Sequence, residues 1–171
     1  MSSRPPVLDP IDQRLAEQLP ATTAKLLAAR RRVATAESCT GGLLAKLLTD
    51  QAGSSQWFEC GWITYSNPAK MRELGVTADT LERHGAVSDA TVREMALGAL
   101  ARSGADVALA ISGVAGPDGG TARSPVGTVW FARAVRGAAV PVAARQQSFN
   151  GSRDAIRRQA VMLALRWLAD P

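Results

Sequence analysis

Histidine, cysteine and tyrosine are scarce in this sequence of 171 residues, which contains one histidine, two cysteines and one tyrosine. Cys39 and Cys60 have the spacing of neither a disulfide framework nor a zinc motif, so we expect no structural metal site. The single histidine, His84, lies in a Glu-Arg-His-Gly stretch that is typical of a helix end, which indicates a surface or capping residue. A serine–histidine–aspartate triad would depend on this residue, so a serine nucleophile would need another base.

Long apolar runs are also absent. No segment approaches the roughly 18 to 20 consecutive apolar residues of a membrane-spanning helix, and no apolar run follows the first residues as in a signal sequence. We therefore expect a cytoplasmic protein without a membrane partner.

The length and composition favour one folded domain. Hydrophobic residues make up 46% of the chain and charged residues 20%, a balance that argues against a disordered protein. A chain of 171 residues has the usual size of a single domain with its own core. Within this domain we expect residues 1–30 to form a helical lead-in and residues 31–171 to form the body.

Acidic residues are outnumbered, since 20 lysines and arginines face 15 aspartates and glutamates and give a net charge of +5. Only residues 30–32 form a basic run, so the excess favours a solvated basic surface over a nucleic-acid partner. Nearly all of the excess is arginine, because the chain has only Lys25, Lys46 and Lys70. A lysine beside suitable partners is therefore of special interest.

The apolar residues follow helical and strand periods in alternation. Helical patterns occur at 9–32, from 43, at 69–75, at 77–84, from 89 and at 154–168. Strand patterns occur at 33–36, 57–65, 107–111 and, as a hairpin that turns at Gly137, at 126–135 and 140–149. Pro20 is the point where the first helix could break. The alternation predicts an α/β fold, a three-layer α/β/α sandwich with a mixed β-sheet.

A first candidate site is the segment Glu-Ser-Cys-Thr-Gly-Gly at 37–42, between a predicted strand and a predicted helix. Ligands bind at such junctions in open α/β sheets. Ser38 could act as a nucleophile there, while the following amides stabilise an oxyanion or hold a phosphate. The alternative is purely structural, with Ser38 or Thr40 capping the helix and the glycines forming the turn. Taken alone, the segment favours this structural alternative.

The base for such a serine would be Lys70, five residues after Tyr65. To accept a proton near neutral pH, this lysine needs a pKa that is lowered by burial or by nearby positive charge. The alternative is an exposed helical lysine, with Tyr65 as a strand-end aromatic whose hydroxyl is in water.

Two further segments could bind a substrate. The glycine-rich loop at 112–120 lacks the ending of a P-loop and the strict dinucleotide-binding pattern, yet it could cradle a phosphate or a ring. Arg153, at the start of the last helix, could form a two-pronged contact with a phosphate. The alternative for Arg153 is an ion pair with Asp154 or another acid.

Six motifs that occur in order carry a resemblance to a known family. They are Ala-Glu-Ser-Cys-Thr-Gly-Gly at 36–42, Gly-Ser-Ser at 53–55, Tyr-Ser-Asn with a lysine at 65–70, Gly-Ala-Val-Ser at 85–88, Ser-Gly-Val-Ala-Gly-Pro at 112–117 and Pro-Val-Gly-Thr-Val at 125–129. From the first strand to the last helix, the chain resembles the CinA C-terminal family. The resemblance implies a stand-alone member, since larger relatives carry an additional N-terminal domain for which this chain has no room.

The resemblance also implies a reaction, the hydrolysis of the carboxamide of nicotinamide mononucleotide to nicotinic acid mononucleotide and ammonia. This is a salvage step in pyridine nucleotide recycling, and it implies no metal or organic cofactor. By the same resemblance, Ser38 attacks the amide carbon, Lys70 takes its proton and later helps ammonia leave, and Tyr65 orients or relays. The implied substrate-binding residues are Thr40, Gly41 and Gly42, which lend amides or a hydroxyl, Ser112, Gly113 and Gly116, which line the substrate, and Arg153, which reaches the phosphate.

The sequence departs from the family pattern at one position. The usual Gly-Asp-Arg is here Gly-Ser-Arg, so Ser152 replaces a carboxylate that could position Arg153, and Asp154 is a candidate substitute. Two other functions stay open: binding of a pyridine nucleotide or ADP-ribose without turnover, and an accessory role in DNA uptake or damage response. We also expect a homo-oligomer, because of the family resemblance and because aromatic residues at 57, 58 and 62 lie near the predicted site, although the core is the favoured place for these aromatics.

Overall fold

A mixed five-stranded sheet organises the residues that the computed structural model describes, 9–139 and 141–169. Its strands are β1 (Val33–Glu37), β2 (Phe58–Ile63), β3 (Val107–Gly113), β4 (Thr128–Val135) and β5 (Val142–Ser148). The helices are α1 (Pro10–Ala28), α2 (Leu43–Asp50), α3 (Asn67–Leu74), α4 (Ala78–His84), α5 (Asp89–Arg102) and α6 (Arg153–Leu168), with a 3-10 turn at Ser54–Gln56. The spatial order of the strands is β2-β1-β3-β4-β5.

The first three strands in space run parallel, whereas β4 and β5 complete the sheet as an antiparallel hairpin. Glu37 pairs with Ile63 on one side and with Ile111 on the other, so β1, β2 and β3 reach the same edge of the sheet. Every residue of β1 is buried, as expected for a central parallel strand covered on both faces. The carboxyl ends of these three neighbouring strands therefore lie together at one edge of the sheet, and the candidate site lies there.

Two hydrophobic cores cover the two faces of the sheet, because side chains alternate between the faces along each strand. One face packs against α1, α2 and α6 through large residues such as Leu44, Ile111 and Leu165. The other face is built largely from alanines of the strands and packs against α5 and α3 through residues such as Met95 and Leu74. The prediction of a three-layer α/β/α sandwich with a mixed sheet is confirmed.

The first helix differs from the prediction, because α1 continues through Pro20 without a break. Pro20 lies on the exposed side of the helix, while Leu15 and Leu26 on the other side are buried in the core. Arg158 of α6 also holds the start of α1 through ion pairs with two aspartates, Asp9 and Asp12. Tertiary contacts on both sides of the proline thus outweigh the one lost backbone hydrogen bond. Residues 1–8 of the expected lead-in lie outside the described residues.

The predicted hairpin is confirmed, with β4 and β5 antiparallel and Gly137 in the turn between them. Val140, where the second strand of this hairpin is expected to begin, lies outside the described residues. The strand predicted at 107–111 continues to Gly113, because β4 pairs with it as far as Val129. His84 is exposed at the end of α4, as predicted. None of the helices in residues 9–139 and 141–169 is long and apolar enough to cross a membrane.

Candidate active site

Ser38 is the first residue after β1, at the edge where the parallel strands end. Its backbone N–H donates to the carbonyl of Ile111 in β3 at 2.9 Å, which fixes the main chain at this point. Side chains alternate along β1, so the side chain of Glu37 lies towards α2 and that of Ser38 lies on the opposite side, towards α3. Ser38 is 8% exposed, so the residue is largely buried but keeps some access to solvent.

Lys70 reaches Ser38 from the first turns of α3. This helix begins after Ser66, whose hydroxyl accepts the N–H of Ala69 at 3.3 Å as an N-cap. The Lys70 Nζ donates to Ser38 Oγ at 3.0 Å and to the carbonyl oxygens of Thr64 at 2.7 Å and Tyr65 at 3.2 Å. Its three partners are therefore all neutral oxygens. The structure brings the predicted nucleophile and the predicted base together.

Burial changes the acidity of this lysine. Lys70 is 1% exposed, and desolvation of the ammonium group lowers its pKa from 10.5 to about 8. A neutral amine has two N–H donors and one lone pair. With the two N–H groups on the carbonyls of Thr64 and Tyr65, the lone pair faces the hydroxyl of Ser38. This arrangement suits a lysine that takes the serine proton.

The close approach of α3 and α5 keeps Lys70 in this place. Gly98 of α5 faces the last turn of α3, where a β-carbon at position 98 would lie 1.8 Å from the carbonyl oxygen of Leu74. Only a residue without a side chain allows this approach, since real atoms do not come so close. Gly98 thus allows the helix that carries Lys70 to pack closely against α5.

The turn at 38–42 presents two amides that have no acceptor in another described residue, those of Cys39 and Thr40. The amide of Gly41 donates to the carbonyl of Ser38 at 3.0 Å, and that of Gly42 donates to the Glu37 carboxylate at 3.1 Å. Both glycines have positive φ angles, 60° and 90°, which form the tight turn. The two glycines therefore shape the turn, and both of their amides already have acceptors within it, so their predicted role in binding the substrate stays a prediction.

Glu37 has a part in this turn that the sequence analysis did not assign. Its buried carboxylate accepts from the amides of Gly42 and Leu44, both at 3.1 Å, and of Ala45 at 2.9 Å. Gly42 has no side chain to cap α2, so the carboxylate of the preceding strand caps this helix. The available signal was an acidic residue at the end of an otherwise apolar strand.

Cys39, next to Ser38, is a second possible nucleophile that the structure argues against. Burial is the main cause that raises the pKa of its thiol, to about 11. The thiol stays protonated at neutral pH and is therefore a poor nucleophile. Among residues 9–139 and 141–169, no cluster of three or more histidine, cysteine, aspartate or glutamate side chains could hold a metal ion.

Tyr65 and Arg153 form a second, exposed part of the site. Arg153 donates from Nη2 to the hydroxyl of Tyr65 at 3.0 Å and from Nη1 to the carbonyl of Gly116 at 2.8 Å. Tyr65 is 61% exposed, and its main-chain carbonyl, not its hydroxyl, contacts Lys70. The expected relay through the Tyr65 hydroxyl therefore has no hydrogen bond to Ser38 or Lys70 in this arrangement.

Arg153 is not oriented in the expected way. Asp154, the candidate substitute for the missing carboxylate, instead pairs with Arg158 at 2.9 Å. Ser152 caps α6, since its hydroxyl accepts the N–H of Ala155 at 3.2 Å. The Gly116 carbonyl and the Tyr65 hydroxyl hold the Arg153 guanidinium in place of an acid. The alternative prediction, an ion pair between Arg153 and Asp154, is not seen.

Ser112 and Gly113 lie in β3 and have structural contacts. The buried hydroxyl of Ser112 donates to the carbonyl of Ala86 at 2.7 Å and so holds the loop between α4 and α5. A β-carbon at Gly113 would lie 2.7 Å from the carbonyl oxygen of Thr128, so this glycine allows β4 to pair closely. Their predicted role in lining a substrate stays a prediction. The hydroxyl of Thr40 is buried and has no partner in the described residues.

The fold and the site together define a three-layer α/β protein with a serine–lysine pair at the carboxyl edge of its parallel strands. Residues 15–171 match the CinA C-terminal domain. The chain belongs to this family, as its six motifs indicate.

Curated relatives and solved structures agree with this assignment. The chain is 58% identical to the nicotinamide-nucleotide amidohydrolase PncC of Escherichia coli strain K12 over 137 residues. These residues cover 80% of this chain and 81% of that protein. The protein of the same name from Pseudomonas putida is 52% identical over 134 residues, which are 78% of this chain and 82% of that one. A crystal structure of a CinA superfamily protein from Klebsiella pneumoniae aligns with a TM-score of 0.86 and 43% identity, over 91% of this chain and 95% of that one.

Proposed function

We propose that this protein is an amidohydrolase that converts nicotinamide mononucleotide to nicotinic acid mononucleotide and ammonia. The observation that carries the proposal is the distance of 3.0 Å between the Nζ of the buried Lys70 and the Oγ of Ser38. The names of the curated relatives support the choice of substrate, since they are nicotinamide-nucleotide amidohydrolases.

In the first half of the reaction, neutral Lys70 takes the hydroxyl proton of Ser38 while Oγ attacks the carboxamide carbon. In this proposal the amides of Cys39 and Thr40, which precede α2, stabilise the negative charge that develops on the carboxamide oxygen, since neither has an acceptor in another described residue. The Lys70 ammonium then gives its proton to the amide nitrogen, the C–N bond breaks and ammonia leaves. Ser38 is left as an ester of the nicotinic acid group.

In the second half, water replaces ammonia. Neutral Lys70 takes a proton from the water molecule, whose oxygen attacks the ester carbon of the acylated Ser38. The tetrahedral intermediate collapses with cleavage of the bond to Oγ, and the proton held by Lys70 returns to Ser38. The product leaves as a carboxylate and releases a proton to solvent, so the enzyme returns to its starting state.

Recognition of the nucleotide phosphate is assigned to Arg153. Its guanidinium is exposed and is held by two neutral oxygens, on Gly116 and Tyr65. A phosphate could take over one or both of these N–H donors in a stronger, charge-assisted bond. This assignment predicts that the mononucleotide is preferred to free nicotinamide.

The remaining parts of the proposal concern the setting of the reaction. We place the protein in the cytoplasm, as a single domain and a homo-oligomer that salvages pyridine nucleotides. Packing of α1 into the same core as α6 supports one domain. Ile63, 58% exposed on the edge strand β2, supports an oligomer contact, with Phe58 and Trp62 half-buried on the same strand. Trp57 belongs to the core.

Ammonia release from nicotinamide mononucleotide by the wild type, Ser38→Ala and Lys70→Met tests the proposal. We expect turnover by the wild type and a loss of about 10³-fold or more in kcat for either variant, because each removes one half of the pair. Lys46→Met is a matched control, since Lys46 is an exposed lysine paired with Asp50. Circular dichroism shows whether each variant is folded.

Three outcomes contradict the proposal. Full activity of Ser38→Ala would remove the nucleophile. Binding of the nucleotide without ammonia release by the wild type would favour a binding protein for pyridine nucleotides or ADP-ribose. A salt-sensitive complex with DNA, together with an inert wild type, would favour an accessory role in DNA uptake or damage response.

A further inference from the structure

The described residues contain two fully buried charged side chains, Lys70 and Glu37, and both flank Ser38. Lys70 contacts the serine directly, whereas Glu37 is the residue before it in the chain. Burial of a carboxylate is costly unless hydrogen bonds replace its water, and such groups are concentrated at functional sites. The role of Glu37 therefore needs an explanation beyond packing.

The side chain of Glu37 holds the far end of the turn. Its two oxygens accept from three amides of the first turn of α2, at 2.9 to 3.1 Å. Its hydrogen bonds therefore end on backbone amides and not on a cation. The residues of the turn, 38–42, are thus enclosed between the main chain of Glu37 at one end and its carboxylate at the other.

The main chain of Glu37 holds the other half of the pair. Its carbonyl accepts from the amide of Thr64 at 2.9 Å, and the carbonyl of Thr64 in turn accepts from Lys70 Nζ. Glu37 therefore contacts both the end of the turn after Ser38, through its carboxylate, and the residue that supplies an acceptor for the lysine, through its main chain. Its carboxylate is on the α2 side and bound to amides, so it does not itself reach the reacting atoms.

We propose that Glu37 is a positioning residue for the reaction: by binding the start of α2, its carboxylate fixes the turn that carries the amides of Cys39 and Thr40, which stabilise the oxyanion. The proposal rests on the proposed function, in which Ser38 attacks and these two amides stabilise the developing charge. A helix cap with no other role would affect stability alone. A positioning residue also affects kcat in the folded protein.

Glu37→Gln tests this role, because it keeps the size of the side chain and replaces one accepting oxygen with an NH₂ group that faces a backbone N–H. We expect kcat for nicotinamide mononucleotide to fall about 10- to 100-fold, as for a misplaced oxyanion donor, with KM changed less than about twofold. Labelling of Ser38 by phenylmethanesulfonyl fluoride, followed by mass spectrometry, should slow by a similar factor.

Glu94→Gln is the matched control. The Glu94 carboxylate accepts from the amide of Thr77 at 2.8 Å and from the hydroxyl of Thr80 at 2.6 Å, so it too caps a helix, α4. None of these hydrogen bonds involves the 38–42 turn. We expect this variant to lose stability, measured as the midpoint of urea unfolding, and to keep the wild-type kcat and labelling rate.

Glu37→Asp tests whether the position of the carboxylate matters as well as its charge. It also provides a second variant in case Glu37→Gln does not fold. It keeps the negative charge but is one methylene too short to hold all three amides, so we expect a loss of kcat comparable to that of Glu37→Gln. A wild-type kcat in a folded Glu37→Gln, or in Glu37→Asp, would overturn the role of Glu37 while leaving the proposed function intact. A wild type that neither turns over the nucleotide nor is labelled at Ser38 would instead overturn the proposed function.

Discussion

The serine–lysine pair and the arginine–tyrosine pair of the candidate site differ in their access to solvent. Lys70 is 1% exposed and is held by three oxygens, whereas Tyr65 is 61% exposed and its hydroxyl is held by an exposed arginine. Burial changes the chemistry of a side chain, since it lowers the pKa of Lys70 to about 8. Exposure keeps a cation such as Arg153 free to exchange one partner for another. This difference supports the proposal that the first pair breaks the carboxamide bond and that the second pair recognises the substrate.

Among the predictions that compare the two pairs, the pH dependence of turnover should show the largest effect, and it depends mainly on Lys70. The pKa of Lys70 is about 8, so its neutral form becomes about tenfold rarer for each pH unit below that value. We expect kcat/KM to rise about 100-fold from pH 6 to a plateau above pH 8, measured by initial rates of ammonia release. Lys46→Met should have the same profile, and a flat profile between pH 6 and 8 would contradict Lys70 as the base.

Removal of the exposed cation should have an intermediate effect and should act on binding. Arg153→Ala loses a charge-assisted contact with phosphate of roughly 1.5–3 kcal/mol, so we expect KM for nicotinamide mononucleotide to rise roughly 10- to 100-fold. The rate constant kcat should change little, and any activity with free nicotinamide should be unaffected. Arg166→Ala, an exposed arginine in the last turn of α6, is the control. A loss of kcat at unchanged KM would instead indicate that Arg153 acts in the bond-breaking step and not in substrate binding.

Loss of the tyrosine hydroxyl should have the smallest effect. Tyr65→Phe removes one of the two hydrogen bonds that orient Arg153 and leaves the main-chain carbonyl that contacts Lys70. A single exposed hydrogen bond contributes about 0.5–1 kcal/mol, so we expect KM to rise about two- to fivefold at constant kcat. A large loss of kcat, or a shift of the pH profile, would instead place the hydroxyl in a proton relay during catalysis.

Much of the fold could be predicted because its signals are local. The apolar runs at 33–36 and 107–111 and the hairpin around Gly137 each depend on the order of neighbouring residues, and the structure has a strand or a turn at each of them. The predicted break at Pro20 was wrong because the continuity of this helix does not depend on local sequence. The continuity of α1 depends on its packing and on Arg158, which is more than 130 residues away in the chain.

The candidate site was only partly predictable. Because histidine is scarce, the sequence predicts Lys70 as the base, and the structure places this lysine beside Ser38. The role of the glycines in the turn could not be seen, because it depends on whether their amides are free. The amide of Gly41 is bound by the carbonyl of Ser38, and that of Gly42 is bound by the Glu37 carboxylate. Sequence spacing contains no information about such contacts.

The sequence by itself determined the order of strands and helices, the glycine turn after the first strand and the residue types that can act as nucleophile and base. Each of these depends on local periodicity or on composition. Only the tertiary structure decided that Lys70 is desolvated, that Glu37 binds the start of α2 and that Tyr65 contacts Arg153. The physical reason is that burial and hydrogen bonding depend on which strands lie side by side, and the pairing of Glu37 with Ile63 and Ile111 joins segments that are distant in the chain.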